Sequence, residues 1–178
     1  MKVVVVTGSP HRKGTSALLA DQFIAGATHA GHEVFRFDAA FETVGACRGC
    51  GACGMGAKPC VQADGMTTLN PHLLEADVVA FVTPLYYYNM SAQLKAVIDR
   101  FYANNTALMG GKKAVLLATA WNDDDWTMRS LATSYETITR YLKWGDAGQV
   151  LATGCGERGA IEHSAFPEQA FALGGSLN

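Results

Sequence analysis

The chain lacks an excess of charge of either sign. Fourteen Lys and Arg stand against sixteen Asp and Glu, a formal net charge of −2, which gives no case for nucleic acid as a main partner. It also lacks any apolar run near the roughly 20 residues that cross a bilayer. Nothing at its start resembles a signal peptide, because Met1-Lys2-Val3 leads straight into a core strand; the expectation is a cytoplasmic protein without a membrane partner. Internal repeats and linkers are missing too, so the 178 residues read as a single domain, 1–178, long enough to bury a good core.

Two well-known phosphate loops are missing as well. A P-loop needs glycine, four residues, then Gly-Lys-Ser/Thr; after Gly8 the chain gives Ser9-Pro10-His11-Arg12-Lys13-Gly14-Thr15, with lysine and glycine in the wrong order. The dinucleotide pattern G-x-G-x-x-G fails because Pro10 takes the place of its middle glycine. No catalytic acid or base stands out among His11, His29, His32, His72 and His163. Nucleoside triphosphate, dinucleotide-fingerprint and general acid–base readings therefore lose their motifs.

What is present begins with Val3 to Val6, a β-branched run that ends at Thr7-Gly8-Ser9-Pro10 and predicts a buried strand. Gly14-Thr15-Ser16 then opens a helix whose apolar positions Leu19, Phe23, Ala27 and Ala30 fall on one face before Gly31. A second strand, Glu33 to Asp38, completes a βαβ unit and implies a parallel sheet. Further strands are expected at Val78–Thr83, Lys113–Thr119 and Gln149–Thr153. Between them lie helices with faces at Leu94, Val97, Ile98 and Phe101 (N-capped by Ser91) and at Leu131, Tyr135, Ile138 and Leu142. Asp123-Asp124-Asp125 is expected where that second helix begins, and a last helix covers Glu168 to Leu173.

This alternation predicts an α/β three-layer, doubly wound sheet, with its ligand beyond the C-terminal ends of the strands at the switch point beside strand one. Three loops meet there. Ser9 to Ser16 offers hydroxyls, backbone N–H groups at a helix N-terminus and the charges of His11, Arg12 and Lys13, which suits a terminal phosphate ester. Pro84-Leu85-Tyr86-Tyr87-Tyr88-Asn89-Met90 offers rings able to cover a flat heteroaromatic group. Ala120 to Asp125 is the third.

From Ala39 to about Pro71 periodicity fails and glycine and cysteine take over, a connection far longer than the usual six residues or so. Cys47-x2-Cys50-x2-Cys53-x6-Cys60 has the first spacings of bacterial ferredoxin runs, in which thiolates hold a cubane cluster. The residues leave three readings open: a cluster, reduced metal-free thiols, or zinc or disulfides. Cys155 stands alone and reads as a small buried residue.

Gly8-Ser9-Pro10 with Gly14-Thr15-Ser16, and Pro84-Leu85-Tyr86 with Leu94-Lys95 and Asp99-Arg100, resemble the NADPH-dependent FMN reductase and iron–sulfur flavoprotein branch of the flavodoxin-like superfamily. The resemblance extends to the cysteine run and to Trp144, Gly148 and Gly154. It implies a flavodoxin-like sheet in the order 2-1-3-4-5 with a Cys-rich insertion at about 39–71. It also implies an FMN phosphate site on Ser9, Gly14, Thr15 and Ser16 with His11, Arg12 and Lys13 assisting, and an isoalloxazine site on Pro84, Leu85, Tyr86, Tyr87, Tyr88 and Asn89 with Thr119, Ala120 and Trp121. A [4Fe–4S] cluster would fall on Cys47, Cys50, Cys53 and Cys60. The implied activity is hydride transfer from NAD(P)H to flavin N5 and onward to a quinone, a flavin, an aromatic acceptor or the cluster, in a homodimer or higher homo-oligomer. The alternative is an electron-transfer flavoprotein reduced by ferredoxin. Two departures stand out: Thr15 where the family commonly has Asn, and His11 where it commonly has Arg.

Overall fold

The computed structural model describes residues 1–178. Five strands, β1 (Lys2–Thr7), β2 (Glu33–Asp38), β3 (Val78–Pro84), β4 (Lys113–Thr119) and β5 (Gly145–Ala152), form one parallel sheet in the order 2-1-3-4-5. Helices follow as α1 (Thr15–His29), α2 (Met66–Glu75), α3 (Ala92–Arg100), α4 (Asn105–Leu108), α5 (Arg129–Leu142), α6 (Arg158–Glu162) and α7 (Phe166–Gly175). The architecture is flavodoxin-like, as the alternation and the resemblance imply.

Why the central strands are apolar throughout is plain from their neighbours. Val3 and Val5 point to a core shared with Leu19 and Phe23 of α1, Ile161 of α6 and Ala170 of α7. Val4 and Val6 point to the opposite core, shared with Leu69 of α2, Leu94 of α3 and Leu131 of α5. Alternate side chains of one strand thus enter two dry layers, which only a strand covered on both faces can do. No helix is long and apolar enough to cross a membrane.

The differences from expectation are local. The irregular stretch ends sooner than Pro71, because α2 starts at Met66 and buries Met66, Leu69 and Leu73. Asp64 Oδ1 accepts the Met66 amide at 3.1 Å in the manner of a helix-starting acceptor. Thr67, Thr68 and the internal Pro71 mask this helix in the sequence, since all three are weak helix formers. Strand five begins at Gly145, not Gln149, and accommodates an irregularity opposite Ala114 and Val115; its glycines and Asp146 conceal it. The aspartates 123–125 precede α5 in a turn, with the helix starting only at Arg129.

The chain crosses from one face of the sheet to the other between β2 and β3, through the cysteine segment and α2. A crevice therefore opens above the C-terminal ends of β1 and β3.

Candidate functional site

Three cavities carry residues singled out in the sequence; one, of about 750 Å³ between the tyrosine hairpin and α5, is lined by Tyr86, Tyr87, Asn89 and Met90, and the other two hold the loop and cysteine residues. The first of these two is a cleft of about 370 Å³ at the C-terminal edge of the sheet, lined at one end by Ser9, Gly14, Thr15 and Ser16 and at the other by Leu85, Tyr86 and Trp121.

Backbone contacts assemble it. Gly8 donates its amide to Val82 O at 2.8 Å, and its carbonyl accepts from Ser91 Oγ at 2.7 Å. The same Ser91 oxygen accepts the Leu94 amide and caps α3. Gly8 is required by this approach, since a Cβ there would lie 2.3 Å from Ser91 Oγ and 2.7 Å from Leu94 Cβ. The loop then turns tightly, His11 N donating to Ser9 Oγ at 3.2 Å and Gly14 N to His11 O at 3.1 Å. Gly14, the N-cap of α1, brings no capping side chain, and the amides of Thr15, Ser16 and Ala17 have no acceptor within the chain. The positive end of a 15-residue helix thus faces the cleft with its donors free.

The other strands close the walls. The hydroxyls of Thr15 and Thr119 meet at 3.0 Å, and Thr119 O accepts the Leu85 amide at 2.7 Å. Ala120 O accepts the Cys155 amide at 2.8 Å. Burial pushes the Cys155 thiol above the ordinary cysteine value against a weaker opposing hydrogen bond from Ser164, so this thiol stays protonated and takes no charge into the cleft.

Of the expected cofactor residues, Ser9, His11, Gly14, Thr15, Ser16, Pro84, Leu85, Tyr86, Thr119, Ala120 and Trp121 line this cleft. Arg12, Lys13, Tyr87, Tyr88 and Asn89 do not. Arg12 lies over the Phe41 ring, 3.7 Å from its centroid, where the ring face attracts the cation. Lys13 offers its carbonyl to Arg158. Tyr86 and Asn89 pair across a tight hairpin whose central residues, Tyr87 and Tyr88, have φ of 45° and 62°. That turn carries both rings to the tip, Tyr87 wholly exposed and Tyr88 against Trp126 at 4.9 Å. The Asn89 amide turns away to Ser134 Oγ at 3.0 Å.

Cys155, Gly156 and Arg158 were missed and belong to the lining. The Arg158 Nη1 donates to Lys13 O at 3.3 Å and to Gly14 O at 3.2 Å, while Nε is held by Glu162. The rule that selects loops beyond the C-terminal ends of strands selects this one too, because it follows β5. Its turn-rich composition gave no motif to attach it to.

The second cavity, of about 400 Å³, is lined by Cys47, Cys50, Cys53 and Cys60 together with Arg100 of α3. All four are free thiols, Cys47 and Cys50 exposed and Cys53 buried. No three His, Cys, Asp or Glu side chains converge as ligands of a single metal ion. The four thiols thus share the wall of one cavity. Helix α3 links the two cavities: its cap Ser91 bonds the first loop and its last residue, Arg100, borders the thiols. Nine residues of helix span roughly 14 Å.

The model of the NADPH-dependent FMN reductase family matches residues 1–134. An iron–sulfur flavoprotein of Archaeoglobus fulgidus is 34% identical over 112 residues, covering 62% of this chain and 50% of that protein; the chain spans about half the length of the curated relatives it matches. Among solved structures, an NAD(P)H:quinone oxidoreductase from Methanothermobacter marburgensis superimposes with a TM-score of 0.78 at 19% identity, over 99% of this chain and 95% of that one. An FMN-dependent NADH-azoreductase from Bacillus anthracis, solved with FMN, gives 0.69 at 12% identity, over 96% of each chain. These two likenesses speak for the fold. With the family model spanning both the phosphate-type loop and the tyrosine hairpin, the chain belongs to the NADPH-dependent FMN reductase family.

Proposed function

We propose that the sheet-edge cleft binds FMN and that the protein uses it to take hydride from NAD(P)H and pass electrons to a small-molecule acceptor or a redox protein. The observation that carries this is the free N-terminus of α1 opening onto three hydroxyls in the same cleft as the Pro84–Tyr86 wall. The residues fit the group. An anionic phosphate satisfies the orphan amides of Thr15, Ser16 and Ala17 and the hydroxyls of Ser9, Thr15 and Ser16. Arg158 stiffens the loop by holding the Lys13 and Gly14 carbonyls, and adds the positive charge that His11 provides less well than an arginine. Leu85, Tyr86 and Trp121 cover a flat ring and keep water from its face. FMN supplies the hydride and electron chemistry that no side chain here offers.

Cys47, Cys50, Cys53 and Cys60 would hold an iron–sulfur cluster, which supplies single-electron storage. The shared cavity of the four thiols and the names of the curated relatives support this reading. That pairing of cavities also favours the second reading, an electron-transfer flavoprotein reduced by ferredoxin without nicotinamide turnover. The wholly exposed Tyr87 at a hairpin tip supports a second copy of the chain packing over the half-open cleft.

An anaerobic absorption spectrum of the purified protein separates the readings. Flavin bands bleached by NADPH are expected for the reductase. Bleaching only by dithionite or reduced ferredoxin supports the carrier, and a protein that neither retains nor takes up flavin overturns both.

A further inference from the structure

The segment that carries the four cysteines is closed at its base by the side chains of Gln62, Asp64 and Arg100. Gly45 stands two residues before Cys47 and Gln62 two after Cys60. Gln62 Nε2 donates to Ala46 O at 3.1 Å and Gly45 N to Asp64 Oδ2 at 3.0 Å, so the two ends of the segment run side by side. Arg100, at the end of α3, ties both. Its Nη1 donates to Gly45 O at 2.8 Å and Asp64 Oδ2 at 2.6 Å; its Nη2 donates to Gln62 O at 3.3 Å and Asp64 Oδ1 at 3.2 Å. The guanidinium is only 2% exposed and Asp64 9%, so the pair works in a dry setting where a planar fork matched to a carboxylate is strongest.

One donor of that fork is unused. Arg100 Nε is buried and has no acceptor, although every other buried donor of the group is paired. Cys60 and Arg100 line the same cavity and also border together the adjoining one against α2. A neutral thiol accepts hydrogen bonds weakly, whereas a thiolate accepts them well.

We propose that Arg100 is the positioning residue of the cysteine cavity: its two Nη groups close residues 45–64 into a ring that presents the thiols, and its Nε–H donates to the Cys60 thiolate once that sulfur is bound to iron. This rests on the reading that the cavity holds an iron–sulfur cluster. The ring matters because ordering a glycine-rich segment costs conformational entropy for every residue, and a closed base removes much of that cost before a cluster arrives. The Nε–H matters because a donor to a ligating sulfur stabilises the reduced, more negative cluster.

Arg100→Lys tests both parts, since it keeps the charge and removes the fork and Nε. In iron-free reduced protein, amide exchange over residues 46–61 is expected to accelerate about tenfold or more while the sheet amides keep their wild-type rates. After reconstitution, iron loss to a chelator is expected to be about 10- to 100-fold faster, and the cluster that remains should have a lower midpoint potential, a readout that a purely structural role leaves unmoved. Should Arg100→Lys lose its thermal transition, the double variant Arg100→Met with Asp64→Leu removes both charges together and carries the same readouts. Exchange, iron release and potential all within twofold or error of wild type overturn the proposal. A wild type that takes up no cluster overturns the cluster reading and the Nε role, and amide exchange still decides the ring.

Discussion

The sheet-edge cleft and the cysteine cavity are of similar volume, about 370 and 400 Å³, yet they are built by opposite means. The cleft is made by regular structure: strand ends in register, a helix N-terminus, and backbone bonds such as Gly8 to Val82 and Leu85 to Thr119. The cavity is made by a segment with almost no regular structure, held at its base by the side chains of Gln62, Asp64 and Arg100. The first is as stable as the sheet; the second depends on three side chains. The same molecule thus separates a site that the fold supplies from one that a few side chains maintain.

The strongest way to break this contrast is Asp64→Ala. It leaves the buried Arg100 without its counter-charge, which costs about 3–5 kcal/mol; urea denaturation measures it, and FMN affinity of the folded fraction should stay within a few-fold of wild type. A cost below about 1 kcal/mol would show that the cavity does not depend on the pair. Gly8→Ala strikes the other region. Its Cβ meets Ser91 Oγ and Leu94 Cβ, so we expect a loss of about 1–3 kcal/mol accompanied by weaker FMN binding and unchanged cluster retention.

Acid should distinguish the regions too. Burial raises the Asp64 carboxyl, but Arg100 and the amides of Gly45 and Met66 outweigh it and hold its pKa below the ordinary carboxylate value. A depressed carboxylate stabilises the fold fully above its unfolded pKa of about 3.9 and loses that contribution as pH falls through the folded value. Urea midpoints at pH 7, 5, 4 and 3 should therefore drop more steeply below pH 4 for wild type than for the Arg100→Met, Asp64→Leu variant. Thr15→Val is gentler: loss of one hydroxyl should weaken FMN about tenfold, on the order of 1 kcal/mol, without changing the iron content. The smallest effect is expected at the hairpin tip. Tyr88→Gly relieves a left-handed φ that costs a non-glycine residue roughly 1 kcal/mol, so the melting temperature should rise slightly while FMN affinity stays at the wild-type value.

The same contrast explains what could be read from the sequence. The cleft's loops follow apolar strands, and strand ends are visible as runs of Val, Ala and Phe; Ser9, Thr15, Pro84 and Tyr86 could be placed together from that alone. Arg158 could not, because the turn-rich segment after β5 carries no motif, although the end of that strand is legible in the sequence. Tyr87, Tyr88 and Asn89 were drawn into the expectation by their neighbours, whereas a two-residue turn with positive φ sends their side chains elsewhere. Around the cysteines, spacing identified the thiols but not their support. Nothing local to Arg100 marks it as the partner of Asp64, 36 residues away, and α2 was masked by its threonines and proline.

The most direct measurement is a parallel fluorescence titration of flavin-free protein with FMN and with riboflavin, which differ only in the phosphate. The open end of α1 and its hydroxyls predict saturable FMN quenching at one site per chain, with riboflavin weaker by about 100-fold or more, as loss of one or two charge-assisted hydrogen bonds requires. Equal affinity for the two flavins, or no binding of FMN, would contradict the account.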